Sequence, residues 1–285
     1  MSPRFSILAG LILSVLPVNA QNKAFTLGWK DNGVMFGNKH NCNGIRFNTV
    51  DGMHLMVDTN AWVAHKDESI NGLSFGIITG NRETNGIGTS LLCHWDSLSN
   101  GIMFSLLNTA ANRINGASFS LFTQAQRHNG ICMGGISTNV SRRLNGMGIS
   151  PFQISSLHNG LGMGAIIIIS DSLLNGVFMA PIVCAQKISG LAISPVGLLE
   201  SACDLNGLAV CAGVCILNKS RGVTIAALNN IENQNGVSVG IVNRSRKLRG
   251  FQVGLWNIAG NKKHFKKMPL VNFCFRNSAS SEKSI

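Results

Sequence analysis

The stretch RGFQVGLWNIAGN, Arg249 to Asn261, decides the fold, because NGVSVGIVNRSRK, Asn235 to Lys247, has already written it once. Both share a frame: Gly, apolar, small or polar, apolar, Gly, two apolars, Asn. Aligned on its opening glycine, the frame recurs at Gly72, Gly86, Gly101, Gly116, Gly130, Gly146, Gly160, Gly176, Gly190, Gly207, Gly222, Gly236 and Gly250. The spacings run 14, 15, 15, 14, 16, 14, 16, 14, 17, 15, 14 and 14 residues. A period this regular marks a repeat architecture, in which each unit is one structural step that cannot bury its own face and must stack on its neighbours.

Inside a unit the residue types follow the same logic. Asn precedes most of these glycines, as at Asn71, Asn100, Asn159 and Asn235. Asn-Gly reaches positive φ at low cost, so each unit is expected to open with a tight turn. The first, third and fifth positions after the glycine are apolar, as in Leu73, Phe75, Ile77 and Val237, Val239, Ile241, while the second and fourth are small or polar. Period-two alternation predicts a strand with one buried face, the apolar one. The seventh position is often Asn or Thr (Asn108, Asn229, Asn243, Asn257, Thr79, Thr123), which in stacked units forms side-chain ladders. Just before the next glycine a second apolar residue recurs, at Ile70, Leu98, Ile114, Leu144, Leu174, Ile188, Leu205 and Leu248, and supplies a weaker inward contact. Pro151, Pro181 and Pro195 donate no ladder hydrogen bond and are expected at strand ends, bulges or kinks.

The fold expected is therefore all-β, a β-solenoid or β-roll of about 14–16-residue repeats. The alternative is an outer-membrane antiparallel β-barrel. The alternating spacing from Gly116 to Gly207 would suit two-strand units, and PLVNFCF, ending at Cys274 and Phe275, would suit a closing strand. Against the barrel stand the absence of tyrosine and the presence of only four tryptophans, where membrane barrels carry aromatic girdles.

Outside the repeats, residues 1–20 combine Arg4 in a basic start, an apolar run from Phe5 to Leu16, and small residues at Val18 and Ala20, the pattern of a secretory signal peptide. Residues 21–70 are less regular, with turn points at Gly33, Gly44 and Gly52 and short strands at Ile45, Phe47 and His54 to Val57; they are the candidate N-terminal cap. The repeat array covers 71–260, a closing strand 261–275, and a polar disordered tail 276–285. The eight cysteines of an exported chain invite a disulfide framework, but Cys132 and Cys211 stand where other units carry Gly, Ser or Ala. Most read as small buried apolar residues. Cys203 with Cys211 or Cys215 is the one pairing left open.

The ending SRKLRGFQVGLWNIAGNKKHFKKMPLVNFCF resembles that of an uncharacterised bacterial surface-repeat protein family, built from NG-apolar-x-apolar-G units, a basic stretch and a Pro-Leu-Ile-Asn-like close. The resemblance covers roughly Gly72 to Phe275 and loosens in the middle, where Cys, Pro and Ser displace Gly and Asn. It implies export and a surface or envelope location, and it assigns no catalytic residue and no partner. The rhythm is also similar to the head domains of trimeric bacterial adhesins, by analogy alone.

Chemistry is sparse. Asp and Glu number 12, and Asp96, Asp171, Glu200, Asp204 and Glu232 share no register. His40, His54, Asp58, His65 and Asp67 form the densest titratable set but match no metal-ligand spacing. His128 and His158, each two residues before a glycine, read as substitutions at a half-exposed position. No cofactor motif and no catalytic or metal site is expected. The formal charge of +12 is concentrated near the end, where Lys262, Lys263, Lys266 and Lys267 are the candidate patch for anionic surfaces. Envelope polysaccharide, anionic lipid or another surface protein are the candidate partners, with homo-oligomers also open. Nucleic acid is disfavoured, since no aromatic residues interleave with the cations. The expectation is an exported non-enzymatic surface or envelope repeat protein with a structural, binding or adhesive role, at the cell surface, outer membrane or periplasm. A membrane barrel and a polysaccharide-acting solenoid enzyme are the alternatives.

Overall fold

A computed structural model describes residues 24–37, 41–49, 69–199 and 202–275. The expected leader, the polar tail, Gly52, the 54–57 strand, His40, His54, Asp58, His65, Asp67 and Glu200 lie outside the described residues. The described regular structure is all β: β1 (Ala24–Trp29), β2 (Asn32–Gly37), β3 (Asn41–Phe47), β4 (Ser69–Ser105), β5 (Asn108–Met179), β6 (Ile182–Ser194), β7 (Gly197–Leu199), β8 (Asp204–Cys211), β9 (Val214–Ile225), β10 (Leu228–Val239), β11 (Val242–Ala259) and β12 (Lys267–Cys274). The chain forms two compact units, Met1–Ser141 and Arg142–Ile285.

Each unit is a β-solenoid. In the first, Gly33 pairs with Gly44, Gly44 with Gly72, and Gly101 with Gly116, all in parallel register. In the second, Gly176, Gly190, Gly207, Gly222, Gly236 and Gly250 follow one another in parallel register. Parallel pairing of successive units is what stacked coils produce, and a membrane barrel needs antiparallel neighbours. Among the described residues antiparallel pairing is confined to two end strands: β1 folds back on β2, and β12 folds back on β11. The stack also starts earlier than its rhythm indicated. Gly33 and Gly44 already occupy the glycine column, although their spacings fall outside the 14–17 range.

The column glycines do adopt positive φ, from 119° to 141° between Gly72 and Gly250, but they lie within paired strands rather than in hairpin turns. Their need for glycine is closeness. A Cβ on Gly222 would sit 2.0 Å from the carbonyl oxygen of Gly207, and one on Gly236 2.0 Å from that of Gly222. Beside them the preceding asparagines form a ladder: Asn85 Nδ2 donates to Asn71 Oδ1 (2.9 Å), Asn100 to Asn85 (2.8 Å), Asn115 to Asn100 (2.8 Å) and Asn129 to Asn115 (2.8 Å).

The two faces of each strand are inverted relative to the expectation. Ser74, Ser118, Ala192, Ala209, Ser238 and Gln252, at the second position, are buried, while Ile102, Phe104, Val177, Met179, Val239, Phe251 and Val253, at the first and third, face outward. The second position turns inward whatever its size, since Met35, Met103 and Phe178 are buried there as fully as Ser74 and Ser238. Where it is glycine, the space goes to a larger neighbour: Cβ atoms on Gly88, Gly148 and Gly162 would meet His94 at 2.3 Å, Gln153 at 2.2 Å and Phe178 of the next rung at 2.6 Å. The apolar interior draws as well on the position two residues before the opening glycine, where Ile70, Ile114, Leu144, Leu174, Ile188, Leu205 and Leu248 are fully buried. That contact, expected to be weak, is a full core contact. Leu98 is only half-buried, and Ser99 takes its inward place.

At the seventh position the expected ladder forms over three units: Asn229 Nδ2 donates to Asn243 Oδ1 and Asn243 Nδ2 to Asn257 Oδ1, each at 2.8 Å and buried. Pro181 and Pro195 fall in the breaks between β5, β6 and β7, whereas Pro151 lies inside β5. All eight cysteines are free thiols, and six are buried. The neighbouring Cys211 thiol, together with burial, drives the Cys215 thiol up.

Candidate functional site

The interior of the first unit contains a Ser-His-Asp constellation. His94 Nε2 lies 3.0 Å from Asp96 Oδ2, and its Nδ1 lies 3.0 Å from Ser90 Oγ and 2.7 Å from Thr79 Oγ1, with the two hydroxyls also in contact. The chemistry of such a set is nucleophilic, but it acts only where substrate can reach the hydroxyl. Here Ser90 is 3% exposed, Asp96 1%, and His94 and Thr79 are fully covered. The four side chains bond to one another inside the coil, with only Asp96 Oδ1 among their polar side-chain atoms left without a partner. The repeat frame could not reveal this cluster, because the four residues stand in different positions of successive units.

His128 and His158 are fully buried, not half-exposed as their spacing implied. They fill the inward position that Leu or Ile takes in other units. His128 Nε2 lies 2.8 Å from Ser118 Oγ, and His158 Nδ1 accepts from Gln153 Nε2 at 3.0 Å. Burial lowers both to about 4, so each imidazole is neutral at pH 7. Asp171 is exposed, Asp204 contacts Lys219 at 3.6 Å and Glu232 contacts Arg246 at 3.5 Å, so these acids do not converge. Among the described residues no three His, Cys, Asp or Glu gather where a metal ion would sit.

What remains is surface, and two parts of it are unusual. The first is apolar. In the second unit the first and third positions of eight successive units read Met147 and Ile149, Leu161 and Met163, Val177 and Met179, Leu191 and Ile193, Leu208 and Val210, Val223 and Ile225, Val237 and Val239, Phe251 and Val253. None is charged or polar. The end strand β12 continues these columns by pairing Phe273 with Phe251 and Val271 with Val253. In the first unit β1 does the same, pairing Phe25 with Phe36 and Leu27 with Val34, and Phe47 stacks between Phe36 and Phe75 at 5.4 Å from each. An end strand exists to cover an open sheet edge and has no need of an outward apolar pattern for that purpose. Both end strands carry it.

The second is basic. A shallow groove on the second unit is lined by Lys219, Asn233 and Lys247 in one column and Arg221, Asn235 and Arg249 in another. The four lysines singled out from the sequence do not form a comparable cluster. Lys262 turns back onto the fold, where its Nζ donates to Asn272 Oδ1 at 2.7 Å and lies 5.6 Å from the Phe273 ring centre. Lys263, Lys266 and Lys267 are exposed around the connection between β11 and β12. The groove cations Lys247 and Arg249 were visible as part of the basic C-terminal run, but Lys219 and Arg221 lie two units earlier and join them only through stacking.

No protein-family model, curated protein or solved structure matches this chain.

Proposed function

We propose that this protein is an exported, non-enzymatic repeat protein of the cell surface or envelope, with a structural and binding role, and that copies of it assemble through the apolar face. One observation carries the reading: two outward columns of apolar side chains run the length of the second unit without a charged residue, while serine, threonine, asparagine and histidine occupy interiors. A solvated protein gains nothing from that arrangement. Seven of the sixteen side chains of these columns are exposed and the other nine half-buried, a contiguous apolar strip of the kind that marks an interaction surface.

A second copy fits this face better than a bilayer does. The columns are flat, regular and self-complementary, since rungs spaced about 4.8 Å apart on one copy match those on another. The rim is a neutral asparagine ladder at Asn145, Asn159 and Asn175 and turns cationic only at the later rungs, so no cationic fringe of the kind that attracts anionic lipid runs the length of the face. Export is supported by the leader-like first twenty residues, and a surface role by the resemblance of the last repeats to surface-repeat proteins.

The test is fractionation of the native host followed by light scattering of the purified protein. Release without detergent as a discrete oligomer, converted to monomer by Ile225→Lys with Val239→Lys, is the expected result. A wild-type protein that stays monomeric at tens of micromolar, or one found in the cytosol, would overturn the proposal.

A further inference from the structure

The geometry points to the groove on the second unit as a binding site for a linear acidic polysaccharide, read through its sulfate or carboxylate groups. The argument starts from the column that precedes the glycines. In this unit it carries Asn145, Asn159 and Asn175, joined by side-chain hydrogen bonds of 2.9 and 3.4 Å. At three later rungs it reads Arg221, Asn235, Arg249, and the asparagine is left between two cations. Two residues away, Lys219, Asn233 and Lys247 repeat the arrangement. Four cations thus stand around one groove, two rungs apart in each column, or roughly 9.6 Å along the stack.

Stacking like charges this way is unfavourable unless an anion offsets it. From β8 to Arg249 the chain has two acids against six Lys and Arg. Asp204 lies 3.6 Å from Lys219, and Glu232 is engaged with Arg246. Among the described residues Arg221, Lys247 and Arg249 face no acid. Asparagine was available in this column and was used at other rungs, so the two arginines replace a neutral ladder with positive charge.

The spacing selects the ligand. A two-rung period is close to the span of two linked sugars, so a polymer with one acid per disaccharide would meet successive cations. Arg offers a planar fork suited to sulfate and carboxylate, and Asn233 and Asn235 place amides between the cations, where sugar hydroxyls would lie. No aromatic side chain lines the groove, so nucleic-acid bases have nothing to stack on. The site shares no residue with the apolar face, so it can fail while that reading stands, and the reverse.

The experiment uses the full chain and a fluorescein-labelled heparin oligosaccharide, with uncharged dextran and single-stranded DNA as competitors, followed by anisotropy across a salt series. The expected result is salt-sensitive binding that dextran does not compete. Arg221→Gln with Arg249→Gln should weaken it about tenfold or more and reduce the salt slope by about two. Lys263→Gln with Lys266→Gln and Lys267→Gln should leave it unchanged. All these side chains are exposed, so an unchanged circular dichroism spectrum is expected of both variants. The inference is overturned if the groove variant binds as the wild type does, if the loop variant loses as much, if the oligosaccharide does not bind, or if DNA competes as well as free heparin.

Discussion

Replacing Gly222 by alanine tests the stacking argument at its tightest point. Gly222 has φ +133°, a region that L side chains rarely adopt, and holding alanine there costs about 1–3 kcal/mol. The added methyl would also stand 2.0 Å from the Gly207 oxygen and 2.9 Å from its carbonyl carbon. Both are backbone atoms of a paired strand, so neither can swing away. To reach ordinary contact the two rungs must part by more than an ångström, which loosens the ladder bonds around Gly207 and Gly222, each worth about 1 kcal/mol net. With about three such bonds loosened the sum is about 4–6 kcal/mol, a large share of the roughly 5–15 kcal/mol that holds a typical domain together. Because repeat stacks are stabilised between nearest neighbours, the damage should be local. Urea denaturation gives the total, and native-state hydrogen exchange should show faster amides in β8 and β9 than in β11, which pairs with neither. Arg246→Ala, exposed and 3.5 Å from Glu232, is the control and should change stability by less than about 0.5 kcal/mol. A loss below about 1 kcal/mol for Gly222→Ala, or amide protection unchanged beside it, would refute the claim that the column is sterically closed.

Acid should weaken both units. His128 and His158 are each held near 4 by burial, so between pH 6.5 and 4 the unfolded chain takes up protons that the native chain refuses. Stability therefore falls as pH drops through that window, by about 3 kcal/mol per histidine, and His128→Asn should flatten the pH dependence of the urea midpoint; an unchanged slope would contradict the assignment. Asn243→Ala removes the middle of a buried ladder and strips Asn229 Nδ2 of an acceptor at 2.8 Å, and should cost about 2–4 kcal/mol, against little for exposed Asn230→Ala, as read by thermal unfolding. Cys132, fully buried with its thiol pushed up to about 11, should resist iodoacetamide at pH 8 until urea unfolds the protein; alkylation in the native state would mean the interior opens readily.

The repeat period was enough to identify a stack of short β-units, because register is periodic in the chain itself. Thirteen glycines at 14–17-residue intervals pointed to coils, and the parallel pairing of those same glycines is the coil's direct consequence. A closing strand was expected over 261–275, on a segment that also suited the barrel, and it forms as β12 over Lys267–Cys274 with Pro269 inside it; the buried Asn229–Asn243–Asn257 ladder was legible from its recurrence. What alternation cannot carry is a sign. It places Val237 and Val239 on one side and Ser238 on the other, but either side could be inside. The usual preference for burying the apolar set gave the wrong one: the second position turns inward whether it carries Ser238, Met103 or Phe178, and hydrogen bonds such as the one from Ser238 Oγ to Gln234 Oε1 at 3.3 Å engage polar side chains indoors. The groove was hidden for a related reason. Arg221 and Arg249 are 28 residues apart in the chain and two rungs apart in space. The sequence by itself thus determined the period, the strand and the stack. The tertiary structure alone decided which face meets water and which distant charges become neighbours, since the first depends on which way the coil closes and the second on how the coils stack.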